Sequence, residues 1–245
     1  MKSEFTDKRW ICVDLPIEDY PEVLALQQRL VVARNNEIIN RNIVLSLEHT
    51  PVFTLGCRAG LANLNVSEAF LAQKKIAIIR SERGGDITFH APGQLVVYPI
   101  VDLVKSGLKV LDYVAGLEEI MIRVVRDWEI KAERNPENRG IWVGNSKLGS
   151  VGIAVRRGVS FHGFALNVNL ALKPFKWINP CGIQDCGVTS MARELSQNVS
   201  VHQIREAVKY HMEAVFGVTL VLTRLYELQE MITGFTYKKG CTGCC

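Results

Sequence analysis

The sequence lacks several features that would assign it to common classes of protein. No run of 18 or more apolar residues occurs in the 245-residue chain, so we expect no transmembrane helix. The first ten residues, MKSEFTDKRW, contain acidic residues and no apolar segment, so we expect no signal peptide. The net charge of +4 includes no dense run of lysine and arginine, which disfavours nucleic acid as a partner.

Two further absences limit the chemistry. The chain contains no GxxxxGK[ST] sequence, the loop that many nucleotide-binding proteins use to hold phosphates. It has seven cysteines, an odd number without a secretion signal, which favours reduced thiols and a cytoplasmic location. Three of them lie in the C-terminal CTGCC, but no fourth ligand stands nearby at zinc spacing, so we expect no metal site.

Helices are predicted where apolar residues repeat with helical spacing, and strands where β-branched and aromatic residues cluster. The predicted strands are 9–15, 43–49, 52–56, 76–82, 94–100, 140–144, 147–157, 160–170 and 219–223. The predicted helices are 20–35, 67–75, 109–128, 201–216 and a short one after 223, with a loop at 131–140. The three strands between 140 and 170 follow one another closely and predict an antiparallel meander. We therefore predict an α+β fold, with a mixed, largely antiparallel sheet flanked by helices.

The chemically densest segment is Arg83–Pro99, RGGDITFHAPGQLVVYP. Its first half combines a glycine pair with charged and polar side chains, and its second half reads as a buried strand. A glycine-rich loop on a rigid strand is a common place for a binding site. A hairpin with ordinary turn glycines is the alternative.

Three other segments contain residues with chemical potential. Lys147 enters a glycine-bordered strand, His162 lies within SFHGFALNV, and Cys181 lies in a Pro-Cys-Gly turn. Each has an ordinary alternative, since lysines are mostly exposed and isolated cysteines or histidines are mostly core residues. Together they are the parts of a covalent acyl-transfer site, because a thiolate is the nucleophile and a nearby cation favours the thiolate.

These segments resemble the lipoyl(octanoyl) transferase family of lipoate biosynthesis. The resemblance rests on RGGxxTxHxPGQxxxYP at Arg83–Pro99, KLGSVG at Lys147–Gly152, HGFALNV at His162–Val168, and Pro180-Cys181-Gly182 with its following VTSM. These motifs spread over residues 43–216. The resemblance implies one catalytic domain over residues 1–245, of the biotin and lipoate protein ligase type, with a C-terminal extension at 217–245.

The resemblance also implies the reaction and the site. Octanoyl or lipoyl would pass from acyl carrier protein, through a thioester on Cys181, to a lysine of a lipoyl domain, without a cofactor or a membrane. The acceptor would be a 2-oxoacid dehydrogenase or the glycine cleavage H protein. Lys147 would be the second catalytic residue. The substrate-binding residues would be Arg83, Gly84, Gly85, Asp86, Ile87, Thr88, Phe89, His90, Ser150, Val151, Gly152, Gly163, Phe164 and Ala165. The supporting residues would be Gln94, Tyr98, His162 and Asn167.

Two other functions fit part of this pattern. An ATP-dependent lipoate or biotin protein ligase would use Lys147 but would need no cysteine, and ligases of this fold bind ATP without a GxxxxGK[ST] loop. A non-catalytic acyl-binding protein would keep the apolar cavity and tolerate loss of both Cys181 and Lys147.

Overall fold

The computed structural model describes residues 7–57, 59–179 and 187–238, with side chains to Thr233. Cys181 and Cys186, and the CTGCC segment, lie outside the described residues. The strands are β1 Arg9–Glu18, β2 Ile43–His49, β3 Val52–Leu55, β4 Ala77–Arg80, β5 Ile87–His90, β6 Gln94–Asp102, β7 Glu133–Arg134, β8 Gly140–Val143, β9 Ser146–Arg156, β10 Val159–Asn167, β11 Gly187–Val188 and β12 Thr219–Leu222. The α-helices are α1 Tyr20–Asn35, α2 Glu68–Gln73, α3 Val110–Asp127, α4 Met191–Leu195, α5 Val201–Phe216 and α6 Leu225–Lys238.

The strands form a large sheet and a small one. The large sheet has the order β12-β1-β2-β6-β10-β9-β8-β7, and β11 pairs with β9. Strands β12, β1 and β2 run parallel, as do β11 and β9, and the other neighbours run antiparallel. The small sheet has the order β4-β3-β5. The predicted fold class, a mixed and largely antiparallel sheet with flanking helices, is confirmed.

Helices cover both faces of the large sheet. Helix α3 buries an apolar stripe, including Leu117, Ile120 and Val124, in a core that it shares with α5. Each fully buried aliphatic side chain stabilises the fold by about 1.5–3 kcal/mol. Helix α1 packs on the opposite face, where Leu228 of α6 joins the same core. Helix α5 is capped by Ser200, whose hydroxyl accepts a hydrogen bond from the Gln203 N–H, and ends at Gly217 with φ +63°.

The structure corrects three details of the predicted elements. The predicted loop at 131–140 contains β7, a two-residue edge strand that pairs with β8. The helix after residue 223 is not short, because α6 extends over 14 residues. Strand β11 and helix α4 were not predicted. Both elements are too short to show a period. Strand β11 forms by pairing with β9, and α4 is a five-residue helix capped by the Ser190 hydroxyl.

A third core holds the small sheet against the large one. It contains Phe53, Phe89 and Leu71, together with Phe175 from a 3-10 helix at Lys173–Trp177. The small sheet therefore lies over the face of the large sheet that carries α1, and the gap between them forms the pocket described next.

Candidate active site

A pocket lies between the small sheet, the Gly84–Asp86 loop and strands β9 and β10. Its lining consists of Tyr20, Arg83, Gly84, Gly85, Asp86, Ile87, Thr88, His90, Val96, Tyr98, Lys147, Ser150, Val151, Gly152, His162, Gly163, Phe164, Ala165, Phe175 and Val188. The structure thus brings together residues from the three sequence segments around Arg83, Lys147 and His162. It does so because β9 pairs with β10, and β10 pairs with β6.

Most of the residues predicted to bind substrate line this pocket, but Phe89 does not. The Phe89 ring packs in the core of the small sheet, 4.8 Å from the Phe53 ring and edge-on to Phe175 at 5.8 Å. Thr88 and His90 face the pocket, and Phe89 between them points to the other face of β5, where it shares a core with Ile87, which also reaches the pocket at the start of the strand. Phe89 therefore supports the pocket wall from behind.

Arg83 shapes the glycine-rich loop from within. Its buried guanidinium donates hydrogen bonds to the hydroxyl and carbonyl of Thr54 and to the carbonyls of Gly84 and Asp86, at 2.6–3.1 Å. The Gly84 N–H donates to the Ile153 carbonyl at 2.9 Å, which joins the loop to β9. Gly85 has φ +88°, a backbone conformation that glycine adopts without strain.

A chain of hydrogen bonds links His90 to the backbone beside Lys147. His90 Nδ1 lies 2.7 Å from Gln94 Oε1, and Gln94 Nε2 donates to Asn167 Oδ1 at 2.9 Å. Asn167 Nδ2 donates to the Thr189 carbonyl at 2.9 Å, and the Thr189 N–H donates to the Lys147 carbonyl at 3.0 Å. Gln94 and Asn167 therefore lie behind the pocket wall and hold its parts in register.

Three buried histidines surround the inner part of the pocket. Burial lowers the pKa of His49 to about 4 and the pKa values of His90 and His162 to about 3. The neighbouring His49 further lowers the pKa of His90, and the Arg83 cation lowers that of His162. His49 Nε2 lies 2.9 Å from the Tyr98 hydroxyl. All three rings are consequently neutral at pH 7 and add no charge to the pocket.

Lys147 lies near the opposite end, on β9, where it pairs with Trp142 of β8 and Val188 of β11. Its side chain is 7% exposed, and its Nζ lies 5.3 Å from the centroid of the Trp142 ring. Leu148 is an extra residue opposite β8, where the register shifts between Ile141 and Trp142. This bulge lets Lys147 and Ser150 share the pocket face although they are three residues apart.

Gly140 and Glu118 hold the surroundings of Lys147 in place. A Cβ at Gly140 would lie 3.0 Å from Lys147 Cε and 2.2 Å from the Gly149 carbonyl oxygen, so only glycine fits. The fully buried Glu118 Oε1 accepts a hydrogen bond from the Gly140 N–H at 2.9 Å. The residue pattern had a usable signal for Glu118, a carboxylate within the otherwise apolar stripe of α3, but we did not predict its role.

The segment with Cys181 is bounded by described residues on both sides. Val188 lines the pocket, and Gly187 and Val188 pair with Ser146 and Lys147 as β11. Tyr20, Val96, Phe175 and Val188 line the pocket without having been predicted. Tyr20 and Phe175 belong to segments without a distinctive motif, whereas Val96 and Val188 lie within the Arg83–Pro99 and VTSM motifs but had been given no role. The tertiary fold brings all four to the pocket.

Neither metal ligation nor membrane crossing is indicated by the residues that the structure describes. In those ranges, no three histidine, cysteine, aspartate or glutamate side chains are grouped so that they could hold a metal ion. Within the same ranges, no helix has the length and hydropathy needed to cross a bilayer.

The fold defines the class of protein. A crystal structure of lipoate-protein ligase A bound with ATP superimposes with a TM-score of 0.73 at 15% identity, over 94% of this chain and 95% of that one. Biotin protein ligase from Aquifex aeolicus, in complex with biotin and ATP, gives a TM-score of 0.54 at 11% identity, over 85% and 70% of the two chains. The predicted fold of biotin and lipoate protein ligases is therefore confirmed.

Sequence similarity then gives the family. Residues 19–213 match the lipoyl protein ligase A/B catalytic domain, and the chain belongs to this family. The octanoyltransferase of Desulfotalea psychrophila is 44% identical over 219 residues, which cover 89% of this chain and 98% of the relative. That of Caldicellulosiruptor bescii is 41% identical, over 87% and 94% of the two chains. The resemblance to octanoyltransferases that the motifs indicated is confirmed.

Proposed function

We propose that this protein is an acyltransferase that moves an octanoyl group from acyl carrier protein to a lysine of a lipoyl domain. The proposal depends on one observation: the Arg83 loop, Lys147 and the His162 strand line the same pocket. It is supported by the 44% identity of the chain to an octanoyltransferase. The acceptors are the lipoyl domains of 2-oxoacid dehydrogenases and the glycine cleavage H protein. The odd number of cysteines supports a cytoplasmic location.

In the first step, the Cys181 thiolate attacks the carbonyl carbon of the octanoyl thioester. The bond between that carbon and the donor sulfur breaks, a new bond to Cys181 Sγ forms, and the carrier leaves as a thiolate that takes up a proton. One thioester replaces another, so the step needs no ATP. Gly187 pairs with Ser146 next to Lys147, and Cys181 lies six residues before Gly187. The Lys147 ammonium would favour the thiolate of a cysteine near it.

In the second step, the amine of the acceptor lysine attacks the acyl-cysteine. The amine loses a proton, the bond from the carbonyl carbon to Cys181 Sγ breaks, and an amide forms. A neutral Lys147 accepts the proton as general base. Lys147 is buried against Trp142 and Gly140, which holds its amine in a fixed position.

The remaining residues act on substrate position. The Arg83–His90 segment, except Phe89, encloses the acyl chain together with Ser150–Gly152 and Gly163–Ala165. Gly152 and Gly163 are required for this, because a Cβ at Gly152 would lie 2.9 Å from the Gly84 carbonyl oxygen, and a Cβ at Gly163 would lie 2.2 Å from the Val97 carbonyl oxygen. Gln94, Tyr98, His162 and Asn167 support this wall.

The decisive test compares two donors in the presence of a lipoyl domain. Octanoyl-acyl carrier protein without ATP or magnesium should give an octanoylated lysine, and free octanoate with ATP and magnesium should give none. The reverse result would identify an ATP-dependent ligase. Turnover of neither donor, together with retained octanoate binding in the Cys181→Ala and Lys147→Ala variants, would identify a non-catalytic acyl-binding protein.

A further inference from the structure

His162 interrupts the regular course of β10 at the inner end of the pocket. Its φ is +57°, a left-handed conformation in the middle of a strand that is uncommon for a residue other than glycine. The register places His162 opposite Pro99, which has no N–H for the ladder. The His162 N–H instead donates to Gln27 Oε1 of α1 at 2.8 Å.

The unusual backbone turns the imidazole onto the pocket face. Regular alternation predicts that His162 shares a face with Phe164 and Leu166, which lie in the α3 core. That prediction is wrong. The ring instead stacks on Phe161 at 4.8 Å and lies edge-on to Tyr98 at 6.1 Å, two residues of the opposite core. His162 consequently lines the pocket.

The imidazole has unused hydrogen-bonding capacity. The side chain is 1% exposed, and neither Nδ1 nor Nε2 has a hydrogen-bond partner in the described structure. The Gln27 side chain, whose Oε1 accepts the His162 N–H, is also only partly used: its buried Nε2 has no partner in the described structure. Leaving a buried donor or acceptor unpaired costs about 1–3 kcal/mol. A neutral imidazole offers one donor and one acceptor, which matches a hydroxyl group.

The distance from Lys147 to His162 fits an eight-carbon acyl chain. The Lys147 side chain extends to Gly140, which pairs with Ser150, and His162 pairs with Ile153. Ser150 and Ile153 are three residues apart, or about 10 Å along a strand, and Gly140 and His162 lie on the two strands that flank β9, about 10 Å apart across the sheet, so the two residues are about 14 Å apart. Seven carbon–carbon bonds of about 1.5 Å in an extended zigzag span about 9 Å. An octanoyl group whose carbonyl lies at hydrogen-bond distance from the Lys147 amine can therefore extend to the His162 ring.

We propose that His162, held in place by Gln27, forms a polar floor of the acyl pocket, which accepts eight-carbon acyl chains that carry a hydroxyl group at the far end. This inference rests on the proposed octanoyl transfer. With an 8-hydroxyoctanoyl chain, the terminal hydroxyl exchanges hydrogen bonds with the His162 ring. With octanoyl, a bound water takes that role, as buried polar groups commonly require.

The test compares 8-hydroxyoctanoyl and octanoyl thioesters of acyl carrier protein as donors. For the wild-type protein, the two kcat/KM values should agree within about tenfold, whereas an apolar pocket would disfavour the hydroxyl by about 100-fold. His162→Phe should make the pocket apolar and produce that 100-fold preference for octanoyl. Tyr98→Phe is the matched control, because its hydroxyl already pairs with His49, and it should leave the ratio of the two donors unchanged.

His162→Asn provides a second variant, since asparagine tolerates a positive φ. It should still accept 8-hydroxyoctanoyl and, being shorter, should raise the rate with decanoyl relative to octanoyl. The inference is overturned if the wild type disfavours the hydroxylated chain 100-fold, or if His162→Phe and His162→Asn leave both donor ratios unchanged. A wild-type protein that transferred no octanoyl at all would instead contradict the proposed function.

Discussion

The two ends of the pocket are built in opposite ways. At the outer end, a single ammonium group, Lys147, lies on β9 beside the Trp142 ring and Gly140 of β8. At the inner end, His49, His90 and His162 lie over the central strands, and burial lowers the pKa of each far enough to keep it neutral. Apart from the Arg83 cation, whose guanidinium is bonded to the Gly84–Asp86 loop, the inner end therefore presents uncharged polar groups, whereas the outer end presents an amine.

The largest expected effect separates Cys181 from Cys186. Cys181→Ala should abolish octanoyl transfer, because it removes the proposed nucleophile. Cys186→Ala, a matched change five residues away, should keep most of the activity. Steady-state transfer to a lipoyl domain measures both variants. Equal activities in the two variants would contradict the assignment.

Lys147→Arg should separate the two steps of transfer. The guanidinium keeps the positive charge that favours the Cys181 thiolate, so the acyl-cysteine should still form. It stays protonated and cannot act as general base, so amide formation should slow by about 10²–10⁴-fold. Lys147→Ala should slow both steps. Rapid-mixing mass spectrometry follows the adduct and the amide separately, and an unchanged amide rate in Lys147→Arg would leave Lys147 an electrostatic role only.

At the inner end, His90→Ala should slow transfer by about 10–10⁴-fold, the range for a lost orienting or acid–base group. It removes the first member of the chain from His90 through Gln94 and Asn167 to the Lys147 backbone. His202→Ala, at an exposed position of α5, is the control and should match the wild-type rate. A wild-type rate in His90→Ala would make His90 a core residue without a role in transfer.

The same contrast explains which parts of the site the residues alone predicted. The Arg83 loop, Lys147 and the His162 strand carry motifs, so they could be predicted as site segments. The bulge at Leu148 and the positive φ of His162 could not be predicted, because both arise from pairing with distant strands. The regular alternation of side chains along a strand therefore predicted the wrong face of β10 for His162. Glu118 was missed because its partner, the Gly140 N–H, lies 22 residues away.

The neutral histidines should make stability depend on pH. A folded-state pKa near 3–4 lies below the ordinary value of 6.5, so the unfolded chain binds more protons between these values, and acid destabilises the fold. Stability should be fully present above about pH 7 and fall as the pH drops through 6.5 towards 4. At pH 5, each histidine should cost about 2 kcal/mol.

Urea unfolding at pH 7.5 and pH 5 measures this effect. The difference in unfolding free energy between the two pH values should shrink in His49→Gln, which removes one buried imidazole. It should not change in His202→Gln, at the exposed position. A wild-type protein with the same unfolding free energy at both pH values would show that these rings are accessible to protons in the folded state.

The smallest expected effect concerns Glu118, near Lys147 at the outer end of the pocket. Glu118→Leu leaves the Gly140 N–H without its acceptor and should lower the unfolding free energy by about 1–3 kcal/mol. Glu118→Gln keeps an oxygen acceptor for that N–H and should lose less. Urea unfolding at pH 7.5 compares the two, and an equal loss in both would mean that the ion pairs of Glu118 with Arg134 and Arg139, at 3.6 and 3.7 Å, matter more than the hydrogen bond.

The central claim is that the acyl group passes through Cys181. Its most direct test is to mix the wild-type protein with octanoyl-acyl carrier protein, without acceptor, ATP or magnesium, and to measure the intact mass before mapping any adduct by peptide mass spectrometry. The account predicts one octanoyl group, removable by hydroxylamine and located on Cys181, that transfers to a lipoyl domain when this is added. Absence of an adduct while transfer to the lipoyl domain proceeds normally, or an adduct located on another residue, would contradict it.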